Sequence, residues 1–247
     1  MRLDGVEVKV TLQADQVPSL LERLGLGERT RLDVWFCDDL TTGTDLPLLA
    51  AGIVVRLRVP HGAHGGHGHG DSVVKLRPCR RSQLTARWLS AGTGVDDDVE
   101  LRLEEDWAGV RRVLAASAQA RLPHAVPTLT HRGPLPGDVL AKAQVAYLDD
   151  CAPLRVNPDQ LCTLGPIKAD RWTSMTSPDL AALGVRAERW RVADLDFLEL
   201  SVKVAREQAE AVQARLDDAV SALGIALDED QETKTRRVLD ALAHDGT

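Results

Sequence analysis

The chain has 247 residues, a formal net charge of −7 and only 3% aromatic residues. That length suits one large or two small domains, and so few rings leave Leu, Val and Ala to fill the core. An acidic chain argues against a general nucleic-acid coat, which needs a basic surface, but leaves room for a basic pocket within an acidic shell.

Residues 6–12 read VEVKVTL, alternating apolar and polar side chains with the period of a half-buried strand. A short helix is expected over about 15–25, closed by Gly25. A second strand spans 31–37, a helical turn covers Leu46 to Ala51, and a third strand, IVVRLRV, spans 53–59. A fourth strand follows at 73–77 and a fifth over about 97–105. Trp107, Val110, Val113, Leu114 and Ala118 have helical spacing, so 107–121 is expected to be a helix ended by Pro123 and Pro127. Residues 128–135 read as extended and Asp138 to Tyr147 as a short helix. Strand patterns return at 161–172, 185–192 and 197–204, and the tail carries helices over about 205–223 and 229–243.

Strands, a helical insert, more strands and then helices leave no regular βαβ unit. An α+β fold with an antiparallel sheet is therefore expected. Residues 1–204 would form one barrel-like domain, with the insert at about 107–147 dividing its halves and 205–247 as a helical extension. The apolar stripe of that extension would cover the core; a homodimer contact is its alternative use.

Other chemistries find little support. Cys37, Cys79, Cys151 and Cys162 are scattered without a CxxC pair, which suits a reducing cytoplasm and opposes a zinc knuckle or disulfide framework. Met1 to Gly5 lacks an apolar leader, and no run approaches the ~20 apolar residues of a membrane span, so a cytoplasmic protein is expected. There is no GxGxxG, Walker loop or G-x-S-x-G elbow. His61, His64, His67 and His69 lie in a Gly-dense hairpin tip that reads as a loop with adventitious metal affinity. The Asp96–Asp98 run reads as a solvated strand entrance.

The charges carry more information. Residues two apart on a strand share a face. Arg56 with Arg58, Lys75 with Arg77, Glu7 with Lys9, and Glu100 with Arg102 and Glu104 are therefore grouped, opposite rows of Val and Leu. For a single strand such alternation usually means a solvated face. Here the third and fourth strands present cations alone, and like charges on neighbouring strands repel. A closed barrel with this face inward, an apolar outside and a bound anion accounts for the set.

The order of these motifs resembles the CYTH superfamily, the triphosphate tunnel metalloenzymes. The matching stretches are Gly5–Lys9, Leu48–Arg58, Val74–Arg77, Glu100–Glu104 and Phe197–Leu200. The resemblance implies a closed eight-stranded antiparallel tunnel and hydrolysis of a small triphosphate, inorganic or thiamine, with Mg²⁺ or Mn²⁺ as cofactor. It makes Lys9, Arg56, Arg58, Lys75, Arg77 and Arg102 phosphate ligands, with Lys168 and Arg189 (or Arg191) as further cations. It makes Glu7, Glu104, Glu199 and Glu100 metal ligands, and Lys9, Arg58 and Glu199 catalytic. Two family carboxylates are missing, at Gly5 and at Ser201, which motivates a second reading: a triphosphate, polyphosphate or nucleotide binder with weak or no turnover. Adenylate cyclisation, known in the same superfamily, ranks third, since nothing specifies an adenine pocket.

Overall fold

A computed structural model describes residues 3–12, 14–41, 43, 45–61, 70–90, 99–122, 128–225, 227 and 234–244. His64, His67, His69, the Asp96–Asp98 run, Pro123 and Pro127 lie outside the described residues. The strands are β1 (Gly5–Leu12), β2 (Arg29–Asp39), β3 (Ile53–Pro60), β4 (Asp71–Leu76), β5 (Val99–Ala108), β6 (Arg111–Arg121), β7 (Leu161–Trp172), β8 (Arg186–Val192) and β9 (Leu195–Val204). The helices are α1 (Val17–Leu24), α2 (Pro47–Ala50), α3 (Ala86–Ser90), α4 (Lys142–Cys151), α5 (Pro178–Leu183), α6 (Ala209–Ala222) and α7 (Lys234–His244). None of the described helices is long and apolar enough to cross a membrane.

The strands close into a barrel in the order β1-β5-β6-β4-β3-β2-β7-β8-β9, with β9 returning to β1. The expected closed, charged barrel is present, but it has nine described strands instead of eight and is mixed, because β1 runs parallel to β5. The additional strand is β6, where a helix was expected over 107–121. Its Ala-rich sequence has helical propensity, yet it pairs along its length with β5 and along half of it with β4. Ladder pairing and burial of Ala116, Ala118 and Ala120 outweigh a local preference worth only tenths of a kcal/mol per residue. Gly109, at φ 56°, supplies the left-handed turn between β5 and β6.

The apolar rows face outward and are covered. Val55, Leu57, Val74, Leu76, Leu101 and Leu103 pack under α3 and α4, whose Trp88 and Tyr147 are buried there. Val6, Val8, Val10, Leu198 and Leu200 pack under α1, α5 and α6. A third cluster has the opposite sense. Val34, Phe36, Ile167, Ala169, Trp190 and Phe197 turn into the barrel, where α7 sets Val238, Leu239, Leu242 and Ala243 against them. One part of the lumen is thus apolar and occupied by a helix.

The α4 layer is fastened by a buried amide. Gln144 accepts from Ser72 Oγ at 2.9 Å and from the Ala141 N–H at 3.0 Å. It donates to the carbonyls of Ser72 at 3.1 Å and Ala118 at 3.0 Å. Gln144→Leu keeps the volume and strands these buried groups. It is expected to lower unfolding stability by about 2–3 kcal/mol, read from urea denaturation.

Candidate functional site

Strand alternation brings the charged rows together inside the barrel. Glu7 and Lys9 of β1, Arg56 and Arg58 of β3, and Lys75 of β4 with Arg77 beyond it line one cavity of about 380 Å³. So do Arg102 and Glu104 of β5, Arg186 and Glu188 of β8, and Glu199, Ser201 and Lys203 of β9. With Arg171 and Lys234, ten Lys and Arg side chains face four Glu in this wall, a strong positive excess within a chain of net charge −7. Asp106 lies in an adjoining space of about 40 Å³ that shares Lys9, Arg77, Glu199 and Lys234.

Asp106 is the hub of the inner charges. Its carboxylate meets Lys9 Nζ at 3.3 Å, Lys75 Nζ at 3.0 Å and Arg77 at 3.1 Å. Burial disfavours its ionisation, but these three cations outweigh burial and hold it well below the ordinary carboxylate range. Lys9 also meets Glu7 at 2.7 Å. Burial opposes the charge of Glu7 too, yet Lys9 and Lys75 lower its pKa from the ordinary 4.5 to about 2. Burial depresses the Lys75 ammonium despite Asp106.

Arg56 is different. Its cross-strand neighbours are Phe36 on one side and Val73 on the other. Its Nε is buried without a hydrogen-bond partner. Burial and the neighbouring Arg58 bring its pKa down to about 10. By contrast, Arg58 donates to both oxygens of Asp71, each at 3.0 Å. A desolvated guanidinium with an open donor is a binding feature for an anion.

The expected site residues fall into three groups. Lys9, Arg56, Arg58, Lys75, Arg77, Arg102, Glu7, Glu104 and Glu199 all line the cavity. Glu100 stands at the mouth, half exposed, where Arg102 donates to both its oxygens at 2.9 and 2.8 Å. Lys168 and Arg189 are corrections: both lie on the outer wall. Lys168 pairs with Asp33 at 2.8 Å and Arg189 with Asp196 at 2.6 Å. The β2–β7 register shifts between Val34 and Phe36, which reverses the parity of β7, so that Leu164 and Ile167 both face inward and Lys168 outward. Gly165 permits this, since a Cβ there would come within 2.9 Å of the Val34 carbonyl oxygen. On β8 the inward row is Arg186, Glu188 and Trp190, which leaves Arg189 and Arg191 outside.

Several site residues escaped the sequence reading. Asp106 continues the Glu100, Arg102, Glu104 row, and the signal was hidden by assigning a helix from Trp107. Lys203 likewise continues the Glu199, Ser201 row. Glu188 needed the register of β8. Lys234 carried no strand signal at all.

Among the described residues, three of the four cavity glutamates are each paired with a lysine. Glu7 is taken by Lys9, Glu104 by Lys203 at 2.6 Å, and Glu199 by Lys234 at 3.0 Å. Among the described residues no three His, Cys, Asp or Glu converge on one point. Gly5 is also a backbone requirement: its φ is 155° and a Cβ would sit 2.9 Å from the Val204 carbonyl oxygen.

The fold is shared with solved structures. A Hippeastrum protein, a candidate adenylyl cyclase described as having a dominant triphosphatase activity, superposes with a TM-score of 0.56 at 12% identity over 96% of each chain. A candidate adenylate cyclase from Bacillus halodurans superposes with a TM-score of 0.52 at 11% identity, over 95% of this chain and 97% of that one. At these identities the likeness is one of fold. No protein-family model and no curated protein matches the sequence.

The inner carboxylates set an acid limit. Glu188 is also held at about 2, burial being outweighed by Lys234 and Arg56. Carboxylates lowered on folding stabilise above their unfolded pKa of 4.5, and that contribution disappears as pH falls toward about 2. The urea midpoint is expected to stay level from about pH 7 to 5 and to fall steeply below 4.5. Asp106→Asn is expected to be less stable at neutral pH, yet to show a shallower acid slope.

Proposed function

We propose that the tunnel binds a small triphosphate, inorganic triphosphate or thiamine triphosphate, and that the chain hydrolyses its terminal phosphoanhydride. The observation that carries the reading is the buried, unpartnered Nε of Arg56 in a wall of ten cations and four carboxylates. Such a wall is self-repulsive without a polyanion, and a linear triphosphate offers several charged groups to successive cations. The shared fold with the Hippeastrum protein, described as having triphosphatase activity, supports the same ligand class.

The chemistry asked of the wall is modest. In phosphoryl transfer the terminal phosphorus passes through a loose transition state, so catalysis is mostly positioning and charge neutralisation. Arg56, Arg58 and Lys75 offset charge on the equatorial oxygens, and Arg77 and Lys9 offset charge on the departing phosphate. Glu7 and Glu188, ionised at neutral pH, can accept hydrogen bonds from the attacking water. The water oxygen bonds to phosphorus, the anhydride P–O bond breaks, and the water proton leaves to solvent.

A second reading, capture without turnover, is favoured by the lysine partners of Glu7, Glu104 and Glu199 and by the backbone of Gly5. Cyclisation of ATP stays third.

Calorimetry with tripolyphosphate and thiamine triphosphate, with phosphate release measured alongside, separates these readings. Native protein is expected to bind and to release phosphate above the uncatalysed rate. Binding without release selects the second reading, and absence of binding removes both. Arg56→Met is expected to weaken tripolyphosphate binding by about 10- to 100-fold, the loss of a charge-assisted contact in a desolvated site.

A further inference from the structure

Lys234 opens α7, yet its side chain belongs to the tunnel. It is 7% exposed, with Nζ 3.0 Å from Glu199, 3.5 Å from Glu188 and 4.1 Å from the centroid of the Trp190 ring. Glu188 and Glu199 stand directly opposite each other in the β8–β9 ladder. Two carboxylates so placed repel and require a cation between them. A hard divalent ion is the usual solution to paired carboxylates in a phosphate site. Here an ammonium group is in that position.

We propose that Lys234 is a tethered cation standing between Glu188 and Glu199 where a divalent metal ion would otherwise bind, so that the tunnel captures its triphosphate without such an ion. The inference rests on the triphosphate reading and narrows it to metal-independent recognition.

Four features support the substitution. An ammonium has three donors, which suits two carboxylate oxygens and leaves the group over the face of Trp190. Its place is held by the rest of the helix, since Val238, Leu239 and Leu242 are buried against the inward apolar residues. The next carboxylate along the wall, Glu7, is engaged by Lys9 at 2.7 Å and so is not free to join Glu188 and Glu199 as a third carboxylate around a metal ion. The wall already holds enough cations to neutralise a triphosphate, so a singly charged group between the two carboxylates suffices.

The test is manganese binding by calorimetry without any phosphate compound, on native protein and on Lys234→Met, with native tripolyphosphate affinity measured with and without EDTA. Native protein is expected to show no saturable Mn²⁺ site tighter than about 1 mM, the weak end of the range for oxygen-ligand sites. EDTA is expected to change its tripolyphosphate affinity by less than about twofold. Lys234→Met keeps the apolar stem but leaves two carboxylates opposed, and is expected to melt about 5–10 °C lower in EDTA. It is expected to gain one Mn²⁺ site at least about tenfold tighter than any in native protein, with recovery of the melting temperature on adding Mn²⁺. Adding Glu199→Gln is expected to remove that site.

A saturable submillimolar Mn²⁺ site in native protein overturns the proposal, as does a folded Lys234→Met that gains none. Should the variant not fold, the native titration and the EDTA comparison decide alone: tripolyphosphate capture lost in EDTA overturns it, and capture retained in EDTA supports it. If native protein binds no tripolyphosphate, the triphosphate reading fails by itself, and the manganese titration still decides what Lys234 does.

Discussion

Lys9, Lys75 and Arg77 project into the same confined space, and the carboxylate of Asp106 between them, within 3.0 to 3.3 Å of each, makes that arrangement tolerable. Charges inside a barrel lose much of their hydration, so each must find a partner or remain unstable. Several other charges of the tunnel follow this constraint. Glu7 takes the outer side of Lys9, Asp71 takes Arg58, Glu104 takes Lys203, and Lys234 takes both Glu188 and Glu199. The barrel can turn a charged face inward because these pairings are distributed over β1, β3, β4, β5, β8, β9 and α7.

The lumen is divided by chemistry as well as by shape. Inward residues of β2, of β7 up to Ala169 and of the β8–β9 end are apolar and receive α7, while most of those of β1, β3, β4 and β5 are charged. Trp190 stands at the boundary. It packs on Phe36 at 5.7 Å between centroids, donates its indole N–H to Glu188 and stacks under Lys234. The apolar part thus anchors the helix that delivers a cation to the polar part. Stability of one region and electrostatics of the other are coupled through a single helix end.

Much of this arrangement was legible in the chain. A period-2 alternation does not depend on distant residues, so the rows of Val6, Val8, Val10 against Glu7, Lys9 and of Val55, Leu57 against Arg56, Arg58 could be read directly. What was not legible depended on tertiary context. Val113, Leu114 and Ala118, at helical spacing, became part of strand β6 because both neighbouring strands pair with it. Lys168 changed face because a bulge at the β2–β7 junction inserts one residue into the count. Arg189 followed from the parity of a strand whose first inward residue no local pattern marks. Lys234 sits on a helix, where the alternation rule has no meaning, and only packing of Val238 and Leu242 carries it into the tunnel. The position of Gly5 was visible as a departure from the family motif, but its cause, the approach of the Val204 carbonyl, was not.

The register explains why Arg56 lacks a carboxylate beside it. Along β3, Arg58 lies opposite Asp71, and the two form a direct ion pair. One step inward, Arg56 lies opposite Val73 on β4 and Phe36 on β2, so neither neighbouring strand can offer a carboxylate at its level. Lys75 lies opposite Val54 and Ser117 and reaches Asp106 instead. The staggering prevents the cations of β3 and β4 from standing side by side, which would cost the barrel stability. The same staggering flanks Arg56 with apolar cross-strand neighbours and leaves its Nε buried without a hydrogen-bond partner. An arrangement selected only for stability would place a carboxylate or an apolar side chain there. The buried Nε of Arg56, without a hydrogen-bond partner in the wall of a cationic cavity, is the feature on which the proposal of a triphosphate ligand rests.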